Sequence, residues 1–372
     1  MVVSKNLFYV AVFFLLSCSA LLLAGITVFS PVYFTFLFAF AISFLGLAKF
    51  FCSSMATFEI SLWINYFVIL CYLFISYSLN SSDTALKEYI LYSTTLFYLP
   101  LGLRLLSFIT KANLRRIILL YFILTFLLLI IDFLYRIKNA NSNMTGLLAF
   151  YNYKMNGLVS MDSNFSAFIA MTLFSFALYL KYRNYMQIKI RFLVFIFLLC
   201  FVNFSRAAIL GCFISLCLYW YRKRSIQIKF LLVIFICMFS MFMIPIIINL
   251  FLTDYSFFTK TVIARRTIEY LSNATLCQLL FGNGMYTSDF YLKGIPAHNY
   301  ISRTIIETGF IELLLEFFLF IQILLASRGM FTFILLPAMI AGLSLFPSII
   351  PYFYAIAAII IHIEQRRIYL WN

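Results

Sequence analysis

Charge is what this sequence has least of. Asp, Glu, Lys and Arg make up 10% of 372 residues, acidic residues number 12, hydrophobic residues reach 65% and mean hydropathy is +1.04. Soluble domains run about 25% charged and about 45–50% apolar, so this chain cannot cover its apolar side chains with polar surface and its solvent must be lipid. Soluble enzymes, nucleic-acid-binding proteins and secreted disulfide scaffolds are excluded. Histidine is nearly absent: His298 and His362 are the two, and with no His/Cys/carboxylate cluster a protein-bound metal is not expected. Cys18, Cys71, Cys200, Cys212, Cys217 and Cys237 sit in apolar runs and Cys52 lies near an inward loop. Cys277 is alone in the largest outward segment, so no disulfide is expected. Heptads, low-complexity tracts and clear internal repeats are also missing.

What is present is a succession of apolar runs. A crossing takes about 20 residues, which leaves room for roughly twelve. Breaks at Pro, Asn and charge predict spans at Leu7–Phe29, Val32–Phe51, Ile60–Leu79, Tyr89–Phe108, Ile117–Tyr135, Phe165–Leu180, Phe192–Phe204, Ala207–Tyr221, Phe230–Phe251, Thr304–Leu325, Met330–Phe346 and Ile349–Ile363. The fold class is thus an all-α polytopic integral membrane protein, with residues 1–372 forming one transmembrane domain. Leu15-Leu16-Ser17-Cys18 loosely resembles a lipoprotein cleavage box, but the apolar run continues through Phe29, which predicts an uncleaved first helix.

The net charge of +15 resides in short loops. Lys5, Lys49, Arg104, Lys111, Arg115, Arg116, Lys181, Arg183, Lys189, Arg191, Arg222, Lys223, Arg224, Lys229, Arg328, Arg366 and Arg367 fall on one side, and a smaller set on the other. The positive-inside rule makes the richer side cytoplasmic and puts both termini there. Residues 137–164 and 252–300 then face outward. Both are too long for simple connections and rich in aromatics, glycines and paired charges, which predicts ordered functional loops.

Several residues there could carry chemistry. Arg206, in Asn203-Phe204-Ser205-Arg206-Ala207, either snorkels to the outer headgroups or lines a wet pocket, since a guanidinium at membrane depth is costly otherwise. Arg265 and Arg266 lie on a predicted amphipathic helix. Either they form a solvated face with Glu269 as an i,i+3 or i,i+4 partner, or they grip phosphate oxygens bidentately. Gly282 and Gly284, in Phe281-Gly282-Asn283-Gly284, form an ordinary turn or one that lets backbone approach a phosphate or sugar. Asn299, Arg303 and Glu307 share one helical face, and Arg303–Glu307 could be an intrahelical ion pair. His298 opens that helix as the outward imidazole, structural or acting as a general base on a sugar hydroxyl.

Three passages resemble the O-antigen polymerase and ligase superfamily. Leu158-Val159-Ser160-Met161-Asp162-Ser163-Asn164-Phe165-Ser166-Ala167 resembles its Asn-containing helix opening, and Phe204-Ser205-Arg206-Ala207-Ala208-Ile209-Leu210 its Ser-Arg-small-small helix start. Ala297-His298-Asn299 with Glu307-Thr308-Gly309 is similar to its His-Asn…Glu-x-Gly element after the large outward loop. The likeness covers Leu158 to Leu325. It departs at Ile311-Glu312-Leu313, where the family often has a small residue; Glu312 and Glu316 instead make a carboxylate face, which either loosens the packing or meets a polar neighbour.

The resemblance implies an O-antigen polymerase (Wzy) in a bacterial inner membrane with its active face periplasmic. Such an enzyme is metal- and cofactor-independent and transfers a growing glycan from undecaprenyl diphosphate to a lipid-linked repeat unit. By this resemblance Arg206, His298 and Arg265 are catalytic and Arg266, Asn164, Gly282, Gly284, Asn299, Arg303 and Glu307 bind substrate, with either Arg265 or Arg266 able to be the loop arginine on the diphosphate. The implied partners are the undecaprenyl-diphosphate-linked oligosaccharide, membrane lipid and a polysaccharide chain-length regulator. The alternatives are an O-antigen ligase acting on lipid A-core and a lipid-linked oligosaccharide flippase or other transporter. A transporter should concentrate charge at the midplane, where Asp132 and Glu316 read as isolated examples.

Overall fold

The computed structural model describes residues 5–23, 30–45, 56–80, 83–140, 144–160, 162–225, 227–228, 255–295, 297, 299–342 and 350–366. Helix is the regular structure throughout the described residues, and no strand occurs among them. Among the described residues four helices are long and apolar enough to cross a membrane: α3 (Thr57–Leu79), α5 (Lys111–Asn139), α7 (Ser163–Tyr182) and α14 (Gly309–Ala326). Around them lie α1 (Lys5–Ser17), α2 (Pro31–Leu45), α4 (Asp83–Leu106), α8 (Ile190–Val202), α9 (Arg206–Lys223), α15 (Thr332–Ala341) and α16 (Pro351–Arg366). Helix α6 (Gly146–Met155) lies between α5 and α7 in the sequence, and α10 (Tyr255–Asn273), α11 (Leu276–Phe281), α12 (Ser288–Tyr291) and α13 (Tyr300–Glu307) lie between α9 and α14. The architecture is that of a helical protein embedded in a membrane.

Surface and core are both apolar, as lipid solvent allows. On α5 the exposed side chains Leu119, Ile123, Leu127, Ile131 and Leu134 recur at helical spacing and form one greasy stripe, while Leu114, Ile118, Tyr121, Phe122 and Leu129 face inward. Two helices are buried on every side. Along α7, Ser166 to Leu180 is buried without interruption, and so is α16 from Pro351 to Glu364. A helix apolar all round belongs at the centre of a bundle. Phe168 and Tyr352 bring the two helices together at 6.1 Å between ring centroids, and the Tyr179 hydroxyl donates to Glu364 at 2.8 Å. The small residues of α7 permit close neighbours: Ser175 and Ser215 meet at 2.6 Å, and a Cβ on Gly211 would collide with Met171.

Two predicted runs are broken among the described residues: Thr304–Leu325 is divided at Thr308 between α13 and α14, and Leu7–Phe29 is the other. The run Leu7–Phe29 does not form one helix: α1 ends at Ser17, the chain turns at 18–20, and Leu21–Leu23 is irregular. The Ser19 hydroxyl donates to the Leu16 carbonyl at 2.9 Å and the Ser30 hydroxyl accepts from the Leu23 amide at 3.2 Å, so side-chain bonds replace helical ones. The run Phe230–Phe251 lies outside the described residues.

Candidate functional site

The segment after the large inter-span loop folds as the short helix α13 leading directly into α14. Asn299 starts α13 as its N-cap, its side-chain oxygen accepting from the amides of Ile301 and Ser302 at 3.0 and 3.3 Å. One turn on, Arg303 Nε donates to Glu307 at 3.0 Å, the expected intrahelical pair, and its guanidinium lies over the Tyr286 ring at 5.4 Å. Glu307 is buried and takes a second bond, from Ser288 Oγ at 2.5 Å. Burial pushes the Tyr286 phenol above its ordinary range, and the neighbouring Glu88 carboxylate adds to that. A cleft between α4 and α13 is lined by Glu88, Tyr92, Met285, Arg303, Thr304, Glu307 and Thr308.

The glycine turn closes this site from the side. Gly282 sits at φ 72°, ψ −166°, a conformation essentially confined to glycine. A Cβ there would come within 2.3 Å of the Glu307 carbonyl oxygen. The amides of Asn283 and Gly284 donate to the carbonyls of Ile306 and Glu307, both at 2.9 Å. The close approach Gly282 permits is therefore to the backbone of α13, whereas a Cβ on Gly284 would face Asn80, just past the end of α3, at 3.2 Å. From α3, the Tyr72 hydroxyl shares its one hydrogen between the Leu280 carbonyl at 2.8 Å and the Thr308 carbonyl, and Ser76 donates to the Phe281 carbonyl at 2.9 Å.

Helix α10 packs on α13 through a small apolar cluster in which Ile263 and Tyr270 meet Leu292, Ile305 and Ile306. Arg265 points outward and is exposed, whereas half-buried Arg266 donates to the Leu292 carbonyl. The expected pairing of these arginines with Glu269 is not what forms: Glu269 pairs with Lys293 at 3.2 Å, because the 288–294 turn brings that ammonium to the exposed side of α10. His298 lies outside the described residues.

A second polar cluster surrounds the start of α7. Asp162 caps that helix, accepting from the Asn164 amide at 2.9 Å and from the Asn164 side chain at 3.0 Å. Arg206 opens α9 with its side chain exposed, directly after Phe204 in a left-handed turn at φ 52°. Ser163 Oγ donates to the Asn203 carbonyl at 2.9 Å and ties the two helix starts together. Lys154 lies in the field of Asp162, Arg206 and Arg136. Burial holds its ammonium below the ordinary lysine value, Asp162 opposes that effect, and the two arginines reinforce it.

The bundle brings the two clusters to the same end. Helices α9 and α15 run antiparallel: Arg222 near the end of α9 donates to the Gly329 carbonyl at 2.8 Å and to Thr332 at 2.9 Å, and Gly211 near its start faces Pro337 late in α15. Arg206 is therefore level with Gly342, whose carbonyl accepts from the Tyr300 amide at 3.0 Å. The beginnings of α7, α9 and α13, with Asn164, Arg206 and Asn299, share one end of the molecule.

One polar constellation was not anticipated, and a second decides between the alternatives left open for the carboxylate face of Glu312 and Glu316. Asp132 is not isolated. It pairs with Arg136 at 2.9 Å, both fully buried, and accepts from the amides of Leu158 and Val159 at 2.7 and 3.0 Å and from Ser166 at 2.7 Å. Arg136 in turn donates to the carbonyls of Lys154 and Ser160 at 2.6 and 3.3 Å, clamping the chain ahead of α7. Glu316 is not isolated either. Tyr92 bonds both Glu312, at 2.8 Å, and Glu316, and Tyr300 bonds Glu316, so the carboxylate face of α14 meets phenols. The i,i+4 spacing of Asp132 with Arg136 and of Glu312 with Glu316, inside apolar helices, was the available signal.

Comparison with protein-family models gives no match to this chain, and comparison with curated proteins gives none either.

Proposed function

We propose that this protein is a bacterial inner-membrane polysaccharide polymerase, transferring a growing glycan from undecaprenyl diphosphate to a hydroxyl of another lipid-linked repeat unit. In this reading the chain makes about twelve spans with both termini cytoplasmic, and residues 137–164 and 252–300 contribute to a periplasmic active face. The observation that supports it is the gathering of Arg206, Lys154, Asn164 and the Asn299-capped start of α13 at one end of the bundle. A lipid diphosphate is already a good leaving group, so the chemistry asks for positive charge around the departing phosphates and a positioned acceptor hydroxyl. Arg206 and one of Arg265 and Arg266 would supply the charge, and His298 would take or orient the hydroxyl proton. Neither step calls for a metal.

The test is polymer formation by purified protein in lipid given one lipid-linked repeat unit. Arg206→Ala should abolish long product at matched expression, and Arg206→Lys should rescue poorly because an ammonium loses the bidentate fork. Polymer from Arg206→Ala at the wild-type rate refutes the assignment. Deleting the gene separates polymerase from ligase: core capped with a single repeat supports polymerisation, whereas bare core beside long lipid-linked chains supports ligation. A transport reading is favoured by one feature, the buried Glu312–Glu316 pair, and it is distinguished by movement of lipid-linked glycan between leaflets without a new glycosidic bond.

A further inference from the structure

In the interior of the bundle one phenol faces two carboxyl groups. Glu312 and Glu316 lie one turn apart on α14, and both are fully buried. The Tyr92 hydroxyl contacts one oxygen of each. A phenol carries one hydrogen, so it can donate to only one of two ionised carboxylates; the second contact needs a hydrogen supplied by the carboxyl itself. Glu316 is the better acceptor, since Tyr300 donates to its other oxygen. Glu312 has Tyr92 on one oxygen, while its Oε2 is buried with no hydrogen-bond partner, and it makes no ion pair among the described residues. Beside the pair, the Tyr354 hydroxyl on α16 is also buried without a partner and lies in the field of both carboxyls.

We infer that Glu312 and Glu316 form a proton-binding site inside the membrane domain, holding one proton between them with Glu312 as the neutral acid. The neutral Glu312 donates to the Tyr92 oxygen, Tyr92 donates to Glu316, and Tyr300 donates to the other Glu316 oxygen. These contacts are then satisfied with a single negative charge on the pair instead of two, which is how close carboxyl pairs out of water ordinarily settle. Among the described residues the groups that face the pair are phenols: Tyr72 on α3, Tyr89 and Tyr92 on α4, Tyr300 on α13 and Tyr354 on α16. Helix α11 offers the apolar Phe281 beside Ile311. Tyr92 also lines the cleft that holds Glu88, Arg303 and Glu307, so the path for proton exchange runs past Tyr92 to that polar shelf. This site is independent of the glycan chemistry proposed above.

The experiment is infrared difference spectroscopy on the full chain in lipid at neutral pH. The carbonyl stretch of an un-ionised carboxyl, shifted in heavy water, should be present in the wild type and lost in Glu312→Gln, whose amide reproduces the neutral donor. Glu316→Gln should keep the band. Glu312→Gln should also keep wild-type thermal stability, while Glu316→Gln loses it. A wild type without the band, or a band of full intensity in Glu312→Gln, overturns the inference. The wild-type measurement decides the first point even if a variant fails to fold.

Discussion

Removing the Asp132 carboxylate should loosen everything that Arg136 holds. In Asp132→Ala the buried guanidinium loses its counter-ion, a change that costs about 3–5 kcal/mol when one partner of a buried pair is deleted. The amides of Leu158 and Val159 lose their acceptor as well, each at about 1–3 kcal/mol if left dry. These losses overlap, because the segment can shift to find water, so the total should be on the order of 5 kcal/mol. Asp132→Asn keeps an oxygen for the two amides and should cost less. The pair Asp132→Leu with Arg136→Met removes both charges and should recover part of the loss. It cannot recover all of it, since the Lys154 and Ser160 carbonyls lose their donor. Unfolding can be followed in detergent by thiol labelling of Cys200 and Cys212, which are free and buried. If Asp132→Ala melts with the wild type, the clamp does not hold the 154–166 segment and the energetic argument fails.

Gly282→Ala combines a glycine-only backbone with a Cβ 2.3 Å from the Glu307 carbonyl oxygen, and should cost about 3 kcal/mol or more. Gly146→Ala, at φ 61° with nothing within 4 Å of the new methyl, should cost only the backbone strain of about 1–2 kcal/mol; equal effects at the two sites would remove the packing explanation. Lys154 offers a pH test. Its folded pKa lies below the unfolded value, so between the two the unfolded chain binds more protons and stability rises with pH. Lys154→Gln should therefore raise the melting temperature at neutral pH, with a gain that shrinks as pH climbs toward the ordinary lysine value. A gain that stays constant with pH counts against a depressed ammonium.

Runs such as Ile60–Leu79, Ile117–Tyr135 and Phe165–Leu180 were legible because each is apolar between polar breaks, and helices occupy all three. The Arg303–Glu307 pair was legible for a local reason, a spacing within one turn, whereas Asn299, read as sharing their helical face, instead caps the helix. The faces of the helices were not legible. In lipid a side chain is apolar whether it meets another helix or an acyl chain, so the stripe on α5 and the total burial of α16 look alike in composition. The partners of Asp132, Glu312 and Glu316 were hidden for the complementary reason. Ser166, Tyr92 and Tyr300 are distant in sequence, and only tertiary packing brings them to the carboxylates. The break at Ser17 was masked by an unbroken apolar run, since hydropathy does not register a serine hydroxyl bonding back to a carbonyl.

Helix α16, buried from Pro351 to Glu364, leaves the ribosome after every helix it packs against. Chain growth proceeds at about 5–20 residues per second, so α1, α4 and α14 wait in the bilayer with the axis of their assembly unfilled. During that interval Glu364 has yet to reach Arg183, which it later meets at 2.5 Å, and Tyr179 lacks its acceptor. The early helices thus hold an open slot that lipid or an insertion factor must occupy until α16 arrives. Assembly is keystone-like, and a ribosome stalled anywhere before residue 351 leaves an arch without its centre.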